Sequence, residues 1–311
     1  MFTKPQNTNK LIFATCRRRL VFVIIMYLVF INLITAQVSF GGSPKSFSNL
    51  LSYKVPKVIM PPVNVHALLQ IDSVEQAQGL PFRFGFGNEV SYNLDNSGVW
   101  DTLSDGGRIW RLCIFSPSAF SINLIYDQFW LPNGASFFIY NKDTTNVLGA
   151  FTSQNNKPHG KFSTGIVKGD KIFLEYFEPE FVETSGTIEI SRVIHGYRNL
   201  YDGDGGYGES QWCQIPVHCP EGAPWSNEIR SVGMILMDNG MRFGSGALIN
   251  NVRGDLTPYF LTARHLKRWG NTDTWLFYFN YESCNCSEPS IEPPYHSISG
   301  STFRAKAESS I

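Results

Sequence analysis

The sequence predicts an all-β protein made of two successive β-rich units. Three observations carry this. Apolar residues alternate with polar ones along short stretches, the period of a strand with one buried face. Turn signals built from Gly, Asn, Asp and Pro separate those stretches at roughly 8–12-residue spacing. Aromatics make up 14% of the chain and glycines number 27, a composition that favours sheets joined by many turns. A length of 311 residues with 43% hydrophobic content allows roughly two domains with real cores.

The elements follow in chain order. Lys10, Arg17, Arg18 and Arg19 precede the apolar run Leu20 to Leu33, and Thr35-Ala36-Gln37 offers a cleavage point after Ala36. This reads as a secretory signal over residues 1–36. An uncleaved anchor is the alternative, but the run falls short of the roughly 20 residues a spanning helix needs. Arg17-Arg18-Arg19 sits in a poor flanking pattern for a twin-arginine signal, and Cys16 precedes the apolar run, where no lipid acceptor can be. Residues 37 to 62 are rich in Ser, Gly, Pro and Lys and read as an extended lead-in. Val65 to Ala77 reads as one short helix.

From Phe82 to Val193 the pattern is β. Ile122, Leu124 and Tyr126 alternate with polar residues, as do Ile172, Leu174 and Tyr176, and Ile188 and Ile190. Asn96-Ser97-Gly98, Asp105-Gly106-Gly107, Pro132-Asn133-Gly134 and Lys168-Gly169-Asp170 supply turns. The unit reads as an antiparallel sandwich or jelly roll. Phe82, Phe84 and Phe86 could form a sugar-stacking strip, but aromatics at period two are more often core. Asp202 to Gly208 is the sharpest composition break and reads as a linker. It lacks the third acidic position and the terminal Glu of a calcium loop. Beyond Gln211, strands are predicted at Val232–Met237, Gly246–Asn250, Tyr259–Ala263 and Trp275–Tyr281, with Trp275, Phe277, Phe279 and Tyr281 on one face of the last.

Charge excludes some functions. Lys plus Arg and Asp plus Glu are both 26, and charged residues are 17%. No basic stripe points to nucleic acid, and no acidic tail is present. Export makes the cysteines disulfide candidates. Cys113 stands alone in an apolar stretch and reads as a small buried residue. Cys213, Cys219, Cys284 and Cys286 crowd together, and their spacing leaves three pairings open. Cys284-Asn285-Cys286 is too tight for the usual zinc knuckle. No cofactor or metal is expected.

The candidate catalytic residue is His265. An apolar run, Tyr259-Phe260-Leu261, ends in Thr262-Ala263, and the imidazole follows two residues later. A lone histidine in such a place is more often structural, but its context is specific. Cys213-Gln214-Ile215-Pro216-Val217-His218-Cys219-Pro220-Glu221-Gly222, Ile229 to Gly233, Gly246 to Asn251, Tyr259 to His265, Phe279 to Tyr281 and Ser299 to Ala305 form six ordered blocks. Together they resemble the secreted lysyl endopeptidase branch of the trypsin-like serine proteases. The resemblance implies the N-terminal barrel of a double β-barrel for this unit, His265 as general base, a Cys219–Cys286 bridge and a protein or peptide substrate. Upstream, Val193 to Arg198 ends a segment similar to the β-rich propeptides of such enzymes.

The departures from the family are informative. The family joins the strand before the histidine to the residue after it by a disulfide, and here those positions are Gly244 and Leu266. Both cysteines are absent together, so no orphan thiol remains. The family's partner for Cys213 and its Asp-Phe-x-Leu-Leu and Gly-x-Ser-Gly blocks have no match before Ile311. Gly244-Ser245-Gly246 is not a nucleophile elbow, because Phe243 stands where Gly is required. His195 and His218 bracket the linker and read as satisfied or surface residues, and His296 as loop.

The reading is therefore a signal peptide over 1–36, a β-sandwich propeptide over 37–200, a Gly-rich linker over 201–212, and a partial trypsin-like protease domain over 213–311. Peptide-bond hydrolysis is implied for the family. These residues alone are expected to lack it, and to expose an apolar face normally covered. The alternative is a non-catalytic secreted binding or adhesion protein carrying a remnant half-domain. No nucleic-acid partner is expected, and no stable membrane anchor after signal cleavage.

Overall fold

The computed structural model describes residues 39–49, 51, 53–80, 82–200, 213–238, 240, 242–287, 293 and 295–306, all within one compact unit, Gln37–Ile311. The signal and linker segments lie outside the described residues. In chain order the strands are β1 (Lys57–Ile59), β2 (Gly85–Asn93), β3 (Val99–Thr102), β4 (Arg108–Phe115), β5 (Ser121–Trp130), β6 (Ser136–Asn141), β7 (Val147–Phe151) and β8 (Phe162–Ser163). After them come β9 (Val167–Lys168), β10 (Lys171–Glu178), β11 (Thr187–Gly196), β12 (Val232–Leu236), β13 (Arg242–Ile249), β14 (Tyr259–Thr262), β15 (Leu276–Phe279) and β16 (His296–Ser299). Helix α1 (Val65–Ala77) is the predicted helix. The Asn64 side chain caps it by accepting from the Ala67 N–H.

Two sheets make a sandwich. One runs β1-β4-β10-β6-β7, with β3 also on β4; the other runs β2-β11-β5-β8, with β9 on β5. The predicted period-two residues meet between them: Ile122, Leu124 and Tyr126 from β5, Ile172, Leu174 and Tyr176 from β10, and Ile188 and Ile190 from β11 share one core. The lead-in is more ordered than its composition implied. Its β1 pairs in parallel with β4. The Ser46 N–H donates to the buried Glu175 carboxylate at 3.1 Å, so the outer face of β10 is covered there. Burial raises the Glu175 pKa, and the bonds from Ser46 oppose it.

The third sheet runs β14-β13-β12-β15-β16, antiparallel throughout. It is open among the described residues, with β14 and β16 at its edges, where a partial barrel was expected. It packs on the outer face of the second sheet. Phe84, Ile166 and Ile194 meet Leu236, Leu276 and Tyr278 there. Polar contacts stitch the same interface: the Ser163 N–H donates to Ser299 Oγ at 2.9 Å, and Arg192 Nη1 donates to the Asp238 carbonyl at 3.0 Å.

The structure corrects three expectations. The first half of β5 is buried on both faces, because the side away from the sandwich core lies under further chain instead of solvent. Tyr281 leaves the face of Trp275 and Phe277 and joins Tyr278 and Tyr295, because Asn280 takes a φ of 58° and turns the chain. His296 is not loop but opens β16, pairing with Phe279. Of the aromatic strip, Phe84 is core and Phe86 is exposed.

A buried carboxylate ties α1 to the end of β11. Asp72 accepts from Arg83 Nη2 at 2.7 Å, the Tyr197 hydroxyl at 2.8 Å and Arg198 Nη2 at 3.0 Å. Two guanidiniums and a phenol satisfy a charge that could not otherwise sit 1% exposed.

Candidate active site and adjoining groove

The β13–β14 pairing brings the chain to the site. Gly246 faces Thr262 and Leu248 faces Phe260. A Cβ on Gly246 would stand 2.3 Å from the Leu261 carbonyl and 2.4 Å from the Phe260 ring, so the absence of a side chain lets the two strands close. The strand ends at Thr262, whose hydroxyl donates to the Ser245 carbonyl at 2.7 Å. A 3₁₀ turn over Arg264–Trp269 follows Ala263 directly.

His265 is the second residue of that turn and is exposed. The next residue, Leu266, points inward and is 4% exposed, among Ile235, Met237, Trp275 and Phe277. It also lies over Gly244, where a Cβ would come within 2.0 Å of Leu266 Cδ1. The two positions where the resembling family has a disulfide are thus in contact, and a leucine fills the space above a glycine. A buried apolar anchor beside an exposed imidazole holds the backbone on one side and leaves the ring free on the other. No described carboxylate pairs with His265. Asp273 acts electrostatically on His159. Ser245 lies within β13, opposite Met234, and not at a strand-to-helix turn.

The cysteines and other histidines fall as follows. Cys219 and Cys286 are joined, closing a loop of 67 residues. Cys213 and Cys284 are exposed thiols, and Cys113 is a buried one whose pKa burial raises. His218 Nε2 lies 3.2 Å from Glu282 Oε1 at the surface. His195 is buried, with Nδ1 2.7 Å from Ser116 Oγ and Nε2 unpartnered; burial holds its pKa below the ordinary value.

Beside His265 lies a groove of about 840 Å³. Both edges of the third sheet contribute to it: β14 on one side, Ile298 and residues 300–306 on the other, with Trp275, Phe277 and Phe279 as floor. Lys157 and His159, from the loop between β7 and β8, also line it. Burial lowers the pKa of both, and neighbouring Lys157 and Lys161 lower His159 further while Asp273 opposes. Sequence reasoning passed over these two residues. Nothing local marks them, because they reach the groove only through the packing of the sandwich on the third sheet.

Residues 207–310 match the family model of the lysyl endopeptidase C-terminal domain. The matched segment contains β12 to β16, His265 and the Cys219–Cys286 bridge, and it supports a lysyl endopeptidase-like protease relationship for this part of the chain. It covers less than half of the sequence, and the sandwich precedes it. No solved structure matches the chain. Among the described residues no helix is long and apolar enough to cross a membrane.

Proposed function

We propose that residues 213–311 are the N-terminal part of the protease domain of a secreted, lysyl endopeptidase-like serine protease precursor, with His265 as its general base. The signal over 1–36, the propeptide over 37–200 and the linker over 201–212 complete this reading. One observation carries it. Within the matched segment an exposed imidazole stands just beyond the end of a sheet strand, its turn anchored by buried Leu266. That placement suits a base that must reach a substrate while its backbone stays fixed.

In the proposed chemistry, His265 takes the proton from a seryl hydroxyl as its oxygen attacks the scissile carbonyl. It then gives that proton to the leaving amine, and water repeats the cycle on the acyl-enzyme. A carboxylate must hold the imidazole tautomer, and backbone N–H groups must receive the oxyanion. Neither a paired carboxylate nor a candidate nucleophile accompanies His265 among the described residues. In this reading the described residues supply the base alone, and residues 1–311 by themselves are proposed to lack peptide hydrolysis.

A lysyl phosphonate that labels active serines tests this. The 311-residue chain is expected to stay unlabelled. A protein extended through the reading frame beyond Ile311 is expected to label, and to lose labelling with His265→Ala. Stoichiometric labelling of the 311-residue chain would overturn its predicted inactivity, and labelling of the extended protein that survives His265→Ala would remove the base assignment.

A further inference from the structure

We propose that the sandwich is a lasting partner of the third sheet. The outer face of the second sheet holds the third sheet non-covalently, and the two stay together once the chain between them is cut. The inference concerns this interface alone and does not require the protease reading.

Three observations point there. First, the interface is apolar and closed to solvent. Phe84 and Ile194 from the sandwich and Leu236, Leu276 and Tyr278 from the third sheet form one buried cluster. Such burial on both sides resembles a domain core cut in two, which is the character of obligate interfaces. Units of one chain that move freely meet through more polar surfaces. Pulled apart, each unit here would expose an apolar face.

Second, the two backbones bond directly. The Gly240 carbonyl, in the turn between β12 and β13, accepts from the Phe84 N–H at 2.9 Å and the Gly85 N–H at 3.1 Å. Gly240 has a φ of 74°, and a Cβ there would stand 2.3 Å from the Gly85 carbonyl oxygen, so only glycine lets the turn approach. The Ser163 N–H donates to Ser299 Oγ, and both residues are buried. These bonds fix the docking in one register, because another would bury donors without acceptors.

Third, the chain between the units offers little to cut. From Asn199 to Ile229 there is neither lysine nor arginine. Arg198, just before that stretch, donates to buried Asp72 and to the Arg83 carbonyl. An enzyme that cuts beside lysine therefore has no bond there, this chain's own proposed class included. Retention leaves the base open, since His265 is exposed with the sandwich in place.

The test uses the full chain with the recognition sequence of a site-specific protease inserted between Gly205 and Gly206. Cys219–Cys286, the disulfide among the described residues, lies wholly on the C-terminal side of that cut. With exposed Cys213 and Cys284 alkylated, no bridge holds the pieces. After cleavage at about 1 µM they are expected to co-elute in gel filtration as one 1:1 species, and to unfold in urea in one shared transition. Gly240→Ala, which sets a methyl against Gly85, should weaken the cut complex by at least about tenfold on dilution. Arg192→Ala, which removes a donor to the Asp238 carbonyl, should weaken it in the same direction. A cooperative melt of each uncut variant would show that it is folded. Elution as two soluble pieces overturns the proposal. So does precipitation of the C-terminal piece that leaves a soluble sandwich, and so do two separate urea transitions. If both variants stay as tight as the parent, the pieces are held elsewhere and the assigned interface is wrong.

Discussion

Replacing Leu266 with alanine tests whether an apolar contact anchors the turn that carries His265. The side chain is 4% exposed and sits among Ile235, Met237, Trp275 and Phe277, over the bare backbone of Gly244. The substitution removes three carbons. At about 0.8 kcal/mol each, the transfer term is about 2.4 kcal/mol. Incomplete collapse of the space adds a cavity term, and the total expected loss is about 3–4 kcal/mol, within the usual range for buried leucines. Urea unfolding followed by tryptophan fluorescence reads it, because Trp275 and Trp269 belong to the same cluster. Val252→Ala, at a fully exposed position, is the control and should change stability by no more than about 0.5 kcal/mol. Gly244→Ala sharpens the test. Its methyl would meet Leu266 Cδ1 at 2.0 Å, so it should destabilise the parent but cost much less once Leu266 is alanine. The cycle should show coupling on the order of 1–3 kcal/mol. A Leu266→Ala cost below about 1 kcal/mol, or additive effects of the two changes, would refute the anchoring argument.

Three further predictions concern thiols and acid. Removing the Cys219–Cys286 bridge by a double serine substitution should cost about 4 kcal/mol, the loop-entropy value for 67 residues. Iodoacetamide added to the native chain should modify Cys213 and Cys284 and spare buried Cys113, and mass spectrometry finding Cys213 protected would contradict its exposed thiol. For His195, burial holds the folded pKa below 6.5, so the unfolded chain binds more protons in the window below about pH 6.5. Its stabilising contribution is complete above that pH and is lost as pH falls through the lower, folded pKa. His195→Gln should flatten the pH dependence of stability across that window. An unchanged slope would show that the buried imidazole is not responsible.

Much of the local structure was legible because its signals are short-range. The period-two runs of β5, β10 and β11 found their core, Asn64 capped a predicted helix, and Tyr259 to Thr262 formed the strand that ends before His265. The illegible parts are those where a neighbour overrides local pattern. β1 looked like lead-in because a parallel edge strand of three residues carries no period of its own. His296 looked like loop because only its pairing with Phe279 makes it strand. Tyr281 fitted a face by alternation until a positive φ at Asn280 broke the alternation.

By itself the sequence determined that the chain is β-rich, where several of its strands and turns lie, and which histidine stands after a strand, since these follow from side-chain periodicity and turn chemistry over a few residues. Only the tertiary structure decided that Leu266 covers Gly244, that the third sheet rests on the sandwich through Phe84 and Ile194, and that Lys157 and His159 reach a groove between two strand edges. These contacts join residues far apart in the chain, and their energy comes from burying surfaces against each other, which no local pattern encodes.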